Sequence, residues 1–178
     1  MAVNSVVTNS TGGKILNVTQ RLINQSSTND TGSGSTWTPV IPDSANDYFG
    51  IVVSPLSATS KILFTGFVMA SCPDAGQIQM TLRNSGSDMT GANAVNASSK
   101  RKCHSGGYTP SGTTASCVSL PINYLYSPGS TTQFALHVRL SHESGSTRTM
   151  YINRSSSDTD NNKFGRYVSV FTAMEFAS

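Results

Sequence analysis

The sequence predicts an all-β fold, an antiparallel β-sandwich or jelly-roll-like single domain, on three observations. Only 12% of the 178 residues are charged, and Ser, Thr, Asn and Gly together make up about two-fifths of the chain. Ser, Thr and Asn compete with the helix backbone for hydrogen bonds, so this composition excludes a coiled coil or helical bundle. Apolar residues alternate with polar ones over short segments, the period of a half-buried strand. Turn signals then separate those segments at short intervals. A chain of this length builds its own core without staples.

The elements follow in order. Near the start, Leu16, Val18 and Leu22 alternate with Asn17, Thr19 and Arg21. Residues 48–53, 61–70 and 167–176 are more continuously apolar. They read as strands buried on both faces, between two sheets or against a neighbouring subunit. In residues 77–83, Ile78, Met80 and Leu82 face inward and Gln77, Gln79, Thr81 and Arg83 outward. Residues 133–140 repeat this, with Phe134, Leu136, Val138 and Leu140 inward and Gln133, His137 and Arg139 outward. Residues 117–126 and 148–153 are shorter candidates. Gly12-Gly13, Ser54-Pro55, Pro73-Asp74, Ser127-Pro128-Gly129 and Ser144-Gly145-Ser146 mark the turns. Residues 84–116 resist this scheme. A structureless stretch of that length is uncommon in a compact domain, so it is either a functional excursion or hides a short strand.

A net charge of +3 implies no broad nucleic-acid surface. The one concentrated basic spot, Lys100-Arg101-Lys102, reads as a solvated loop, with contact to an acidic partner surface as the sharper alternative. Cys72, Cys103 and Cys117 are odd in number, so at least one is unpaired. Cys103 and Cys117 could close a loop, but free thiols are the default, and no spacing resembles a zinc site. The first residues lack the basic start and apolar run of a signal peptide. No apolar run approaches the roughly 20 residues that cross a bilayer, so membrane insertion is not expected.

Catalysis is not expected. His104, His137 and His142 show no nucleophile partner in a recognisable arrangement, and the adjacency of Cys103 and His104 is weak, because catalytic pairs meet through the fold. No Gly-x-Ser-x-Gly elbow occurs. The glycine-rich Thr31–Ser35 stretch lacks the lysine of a phosphate loop. Asp158-Thr159-Asp160-Asn161-Asn162 alternates oxygen ligands as calcium loops do, but Lys163 and Ser169 stand where such a loop needs glycine and glutamate. A surface turn is the better reading. Asp43, Asp47, Asp74 and Glu143 are the acids that glycosidase work would have to bring together, and a polysaccharide hydrolase is the least supported reading. No cofactor or metal is implied.

The remaining signal lies in whole segments. Gly12-Gly13-Lys14-Ile15-Leu16-Asn17-Val18-Thr19-Gln20 resembles the start of a domain of tail-fibre-like and other virion structural proteins of tailed bacteriophages, particularly those of marine bacteria and cyanobacteria. Ser54-Pro55-Leu56-Ser57-Ala58-Thr59-Ser60-Lys61-Ile62-Leu63 looks like that family's turn into a central strand. Residues 150–155 and 165–176 look like its closing hairpin. The resemblance runs in order from about residue 12 to the end, leaving residues 1–11 as a short N-terminal arm.

The resemblance implies a non-enzymatic virion protein, made in the host cytoplasm and displayed on the particle. It also implies a symmetric homotrimer, which would cover the apolar strands. With no anchor domain or shaft repeat in view, a capsid decoration (cement) protein is expected slightly ahead of a small fibre or spike tip. The implied partners are the chain itself, phage capsid or tail proteins and, in the alternative reading, a host surface glycan. That alternative, a carbohydrate-binding receptor module, needs an exposed aromatic platform, for which Trp37 and Tyr108 lead and Tyr124 and Tyr126 follow. The 84–116 excursion would be the capsid-gripping arm or the receptor loop. Glu175, in the last strand, is expected near a polar partner or the rim.

Overall fold

The computed structural model describes residues 14–31, 37–40, 43–44, 47–95, 101–110, 112, 114–144 and 146–178. Lys100 and the N-terminal arm lie outside them. Among the described residues the regular structure is entirely strand. The strands are β1 (Ile15–Ile23), β2 (Ser27–Thr31), β3 (Thr38–Pro39), β4 (Asp43–Ser44), β5 (Asp47–Tyr48), β6 (Gly50–Val53) and β7 (Lys61–Ser71). They continue with β8 (Gly76–Asn84), β9 (Ser87–Asp88), β10 (Ser105–Thr109), β11 (Val118–Tyr126), β12 (Phe134–His142), β13 (Arg148–Ile152) and β14 (Ser169–Phe176).

Two antiparallel sheets pack as a sandwich. The first has the order β1-β14-β7-β13-β2, with β11 pairing the other edge of β7. The second has the order β10-β8-β12-β3, with β6 on β12 and β9 on β8. Because strand side chains alternate, each sheet turns one apolar row toward the other. Ile62, Phe64, Val68, Leu120, Phe171 and Ala173 from the first sheet meet Ile78, Met80, Leu82, Leu136, Val138 and Leu140 from the second. Phe49 meets Phe171 edge-on at 5.8 Å between ring centroids, and Phe134 meets Phe64 at 6.2 Å and Tyr126 at 5.3 Å. Each fully buried side chain of this size contributes about 1.5–3 kcal/mol of transfer free energy.

The 84–116 stretch does hide a strand. β10 pairs β8 from Ser105 opposite Met80 to Thr109 opposite Gly76. Composition concealed it, because Ser-Gly-Gly-Tyr-Thr carries almost no apolar signal. The chain leaves β8 through Ser85 and Gly86, both at positive φ (43° and 109°), a two-residue hairpin turn into β9 that suits glycine. Ser85 is pinned to Ala135 by a backbone bond and by its hydroxyl, which accepts from Ala135 N–H at 3.1 Å. The Asn93 amide then acts as a surrogate strand. It accepts from Leu82 N–H at 3.0 Å and donates to Leu82 C=O at 3.1 Å.

Two outward positions are corrected. His137 and Thr81, expected outside, are buried. The register sets Arg83 beside His137 and Arg139 beside Thr81, and long guanidinium side chains wall in shorter groups between them. In β1 the apolar side is the outer one. Leu22 is 61% exposed, while Arg21 turns to the second sheet and donates to Gly50 C=O at 3.3 Å. β7 and β14 bury one face in the core, and their other face points outward half-buried, so cover between the two sheets does not apply to it and the neighbouring-subunit alternative is the one left.

Candidate functional site

The outer face of the first sheet is the feature that the core does not explain. Register arranges it in rows across β1, β14, β7 and β11. Leu22, Val170, Phe67 and Pro121 lie opposite one another in turn. Two residues along each strand comes a polar row, Gln20, Thr172, Thr65 and Asn123, in which Gln20 Nε2 donates to Thr172 Oγ1 at 3.1 Å. Two residues further the face is apolar again, with Val18, Met174, Leu63 and Leu125. Leu125 is 52% exposed, and Val168 just before β14 is 39% exposed. The charged member is Lys61, opposite Phe176 beyond the last row. The carboxylate of Glu175 points the other way and is buried.

Glu175 and Asn153 hold this sheet in place. Glu175 Oε1 accepts from Leu56 N–H at 2.8 Å, Ser57 N–H at 3.3 Å and the Ser60 hydroxyl at 2.6 Å. The turn into β7 therefore closes on the last strand, and the expected polar partner of Glu175 is that turn. Asn153, fully buried at φ 56°, donates from Nδ2 to Ile23 C=O at 2.7 Å and Gln25 C=O at 3.0 Å. Its Oδ1 accepts from the Ser169 hydroxyl at 2.6 Å, and its backbone bonds Met69 and Tyr167. One side chain thus joins the exits of β1 and β13 to the entry of β14.

Of the basic spot, Arg101 and Lys102 are among the described residues, and their side chains take different courses. Arg101 folds onto β8 and β12, donating to Gln79 Oε1, Ser141 Oγ and His142 C=O. Lys102 is exposed and lines an open depression of about 300 Å³ with Asp88, Met89, Thr90 and Asn93. Trp37, half-buried, precedes β3, whereas Tyr108, 61% exposed, lies on β10 at the opposite edge of the second sheet. With β8 and β12 between them, the two rings stand on the order of 15 Å apart and make no single platform. Tyr124 and Tyr126 pack against the core, and the Tyr124 hydroxyl donates to Thr90 C=O at 2.6 Å. Burial, with Tyr126 alongside, raises the Tyr124 phenol above its ordinary value.

The titratable groups serve structure. His104 Nδ1 bonds Ala92 C=O at 2.6 Å, and Nε2 accepts from Asn123 N–H at 3.3 Å, so the ring stitches the excursion to β11. The three cysteines are free, and burial pushes the Cys117 thiol up to about 12 and raises Cys72 as well. Both are poor nucleophiles at neutral pH. Asp158 pairs with Arg166 through both oxygens, at 2.5 and 2.7 Å, as a surface turn would. Among the described residues, no three His, Cys, Asp or Glu side chains are grouped to hold a metal ion.

Two of the four acids named from the sequence, Asp74 and Glu143, do come together, with His142 and Arg148 at the β12–β13 end, a grouping that sequence spacing did not show. Arg148 Nε reaches Asp74 Oδ2 at 3.5 Å, and His142 Nδ1 accepts from Ser144 N–H at 3.1 Å. His142 Nε2 is buried against Gly76 (φ 142°), where an added Cβ would come within 2.9 Å of it. Burial chiefly lowers the His142 pKa, opposed by Glu143 and Asp74 and assisted by Arg148 and Arg101. The glycine before Gln77 was the one visible signal.

No protein-family model matches the chain, and no curated protein is similar to it. Among solved structures, one chain from the structure of infectious bursal disease virus Gx strain is similar at 11% identity and a TM-score of 0.40. The match covers 97% of this chain and 46% of that one, so this chain spans less than half its length. At that identity and score the likeness carries no argument about role.

Proposed function

We propose that the chain is a non-enzymatic structural component of a tailed-phage virion, displayed on the particle as a homotrimer. The head, as a decoration or cement protein, is the favoured place, ahead of a small fibre tip. One observation carries this reading. The three segments that resemble the phage domain come together as β1, β14, β7 and β13, adjacent strands of one sheet, and the turn at residues 54–60 is tied to β14 through Glu175. An outer face with two apolar rows on that sheet fits a module held by neighbours. The exposed Lys102, with Lys100 beside it in sequence, is the proposed contact to an acidic particle surface.

A reconstruction of the particle, with mass spectrometry of purified virions, tests this. Several copies per particle are expected, in density on the head lattice or tail. Virions without the chain would overturn the reading. Changing Lys100 and Lys102 to Gln is the cleaner probe of the basic contact, because deleting residues 98–107 would also remove Arg101, His104 and half of β10. The expected result is weaker particle binding with an unchanged fold.

The second reading, a glycan-binding receptor module, is favoured by Tyr108 alone, an exposed ring on an edge strand. It predicts glycan-array binding that Tyr108→Ala removes.

A further inference from the structure

The geometry points to the outer face of the first sheet as the surface on which this chain meets further copies of itself, around an axis running along the strands. The inference deepens the proposed display role and rests on it only for what the oligomer serves.

Three features select a second copy over another partner. The first is symmetry. The face is layered along the strands, apolar through Leu22 and Phe67, polar through Thr172 and Thr65, apolar again through Met174 and Leu125. A rotation axis parallel to the strands keeps every layer at its own height. Each copy then sets apolar against apolar and hydroxyl or amide against hydroxyl or amide. A partner of different chemistry would need to reproduce that order, whereas an identical chain carries it by construction.

The second feature is charge. The three rows carry no charged residue, so like rows meet without repulsion and a strongly charged partner finds nothing to complement in them, while Lys61 and Lys14 lie beyond the last row, where both are exposed. The third is size. Four strands at about 4.8 Å and nine residues at about 3.3 Å make a face of roughly 500 Å². Two such faces together remove roughly 1,000 Å² from water, about the minimum for a biological interface. The edge of β11 adds to the argument. Pro121 sits opposite Phe67 in mid-strand and has no N–H to offer, so another chain cannot extend the sheet there by regular pairing. Association then goes through the face.

The test measures the mass of the purified full chain in solution by light scattering, with no particle present. A mass at an integer multiple of 18.8 kDa above one is expected. The double variant Leu22→Glu, Leu125→Glu places like charges at two exposed positions at opposite edges of the face and should return the mass to 18.8 kDa. Its circular dichroism and denaturation midpoint should stay near those of the parent, because neither side chain lies in the core. Val95→Glu, 89% exposed on the 84–116 excursion, adds the same charge elsewhere and should leave the oligomer intact. A parent chain of 18.8 kDa at micromolar concentration overturns the inference, as does a double variant that keeps the parent's mass. A chain that self-associates through this face but is absent from virions overturns the display role alone.

Discussion

Replacing Asn153 with Ala should destabilise the protein by about 3–7 kcal/mol. The substitution strands Ile23 C=O, buried and previously bonded at 2.7 Å, at a cost of about 1–3 kcal/mol. Gln25 C=O and the Ser169 hydroxyl each lose one bond, worth about 0.5–1.5 kcal/mol, and Ser169 keeps its bond to Met69 N–H. The backbone at φ 56° adds about 1 kcal/mol for a residue with a Cβ and no amide. Against a typical total of about 5–15 kcal/mol this is a large share. Urea unfolding followed by intrinsic fluorescence measures it, with the slope expected to be unchanged. Asn153→Gly separates the parts, because it loses the same side-chain bonds without the backbone penalty and should be the milder change. Asn153→Asp keeps the acceptor for Ser169 but sets a carboxylate oxygen against two carbonyls, and should be no better than Ala. An Ala variant within about 1 kcal/mol of the parent would refute the reasoning.

Other perturbations have equally direct outcomes. Glu175→Ala frees the turn at residues 56–60 from the last strand and should cost about 2–4 kcal/mol, read as a lower urea midpoint and faster amide exchange at Leu56 and Ser57. His142 has a folded-state pKa below its unfolded one, so the unfolded chain binds the extra proton first. Its contribution to stability is complete above about pH 6.5 and is lost as pH falls through the lowered folded value. His142→Gln should flatten the slope of stability between pH 7.5 and 5, and an unchanged slope would count against burial as its cause. Iodoacetamide at pH 8 should spare Cys117, whose thiol is ionised to only about one part in ten thousand there. Peptide mapping that finds Cys117 labelled in the folded protein contradicts its burial.

The sandwich was legible wherever alternation was strong. β8 and β12 carry Ile78, Met80, Leu82 and Leu136, Val138, Leu140 in period two, and both are strands with these rows inside, although Thr81 and His137 between them are buried as well. Period alone cannot say which face is inside when both sides carry apolar residues. In β1, Leu22 faces out and Arg21 in because the sheet's outer face is itself apolar, and pairing with β14 decides the matter. Composition hid β10 and Asn93, since their contribution is backbone hydrogen bonding, which leaves no hydropathy trace. The hub at Asn153 was equally silent, because its partners lie 16 to 130 residues away. The apolar runs at residues 61–70 and 167–176 did mark the strands with apolar residues on both faces, β7 and β14.

The bond from Ala177 N–H to Lys14 C=O, 2.8 Å long, has a mechanical consequence. It brings the entry to β1 and the exit from β14 to one point at the end of an antiparallel pair. A host fold could carry this domain in a surface loop with no stretch between the two attachment points. Tension applied through both points would act across the β1–β14 ladder at its end, parting the bonds one after another, as a zip opens. Tension on one point alone leaves that ladder unloaded. A domain tethered by a single end therefore resists shear in flow far better than the same domain strung between two anchors.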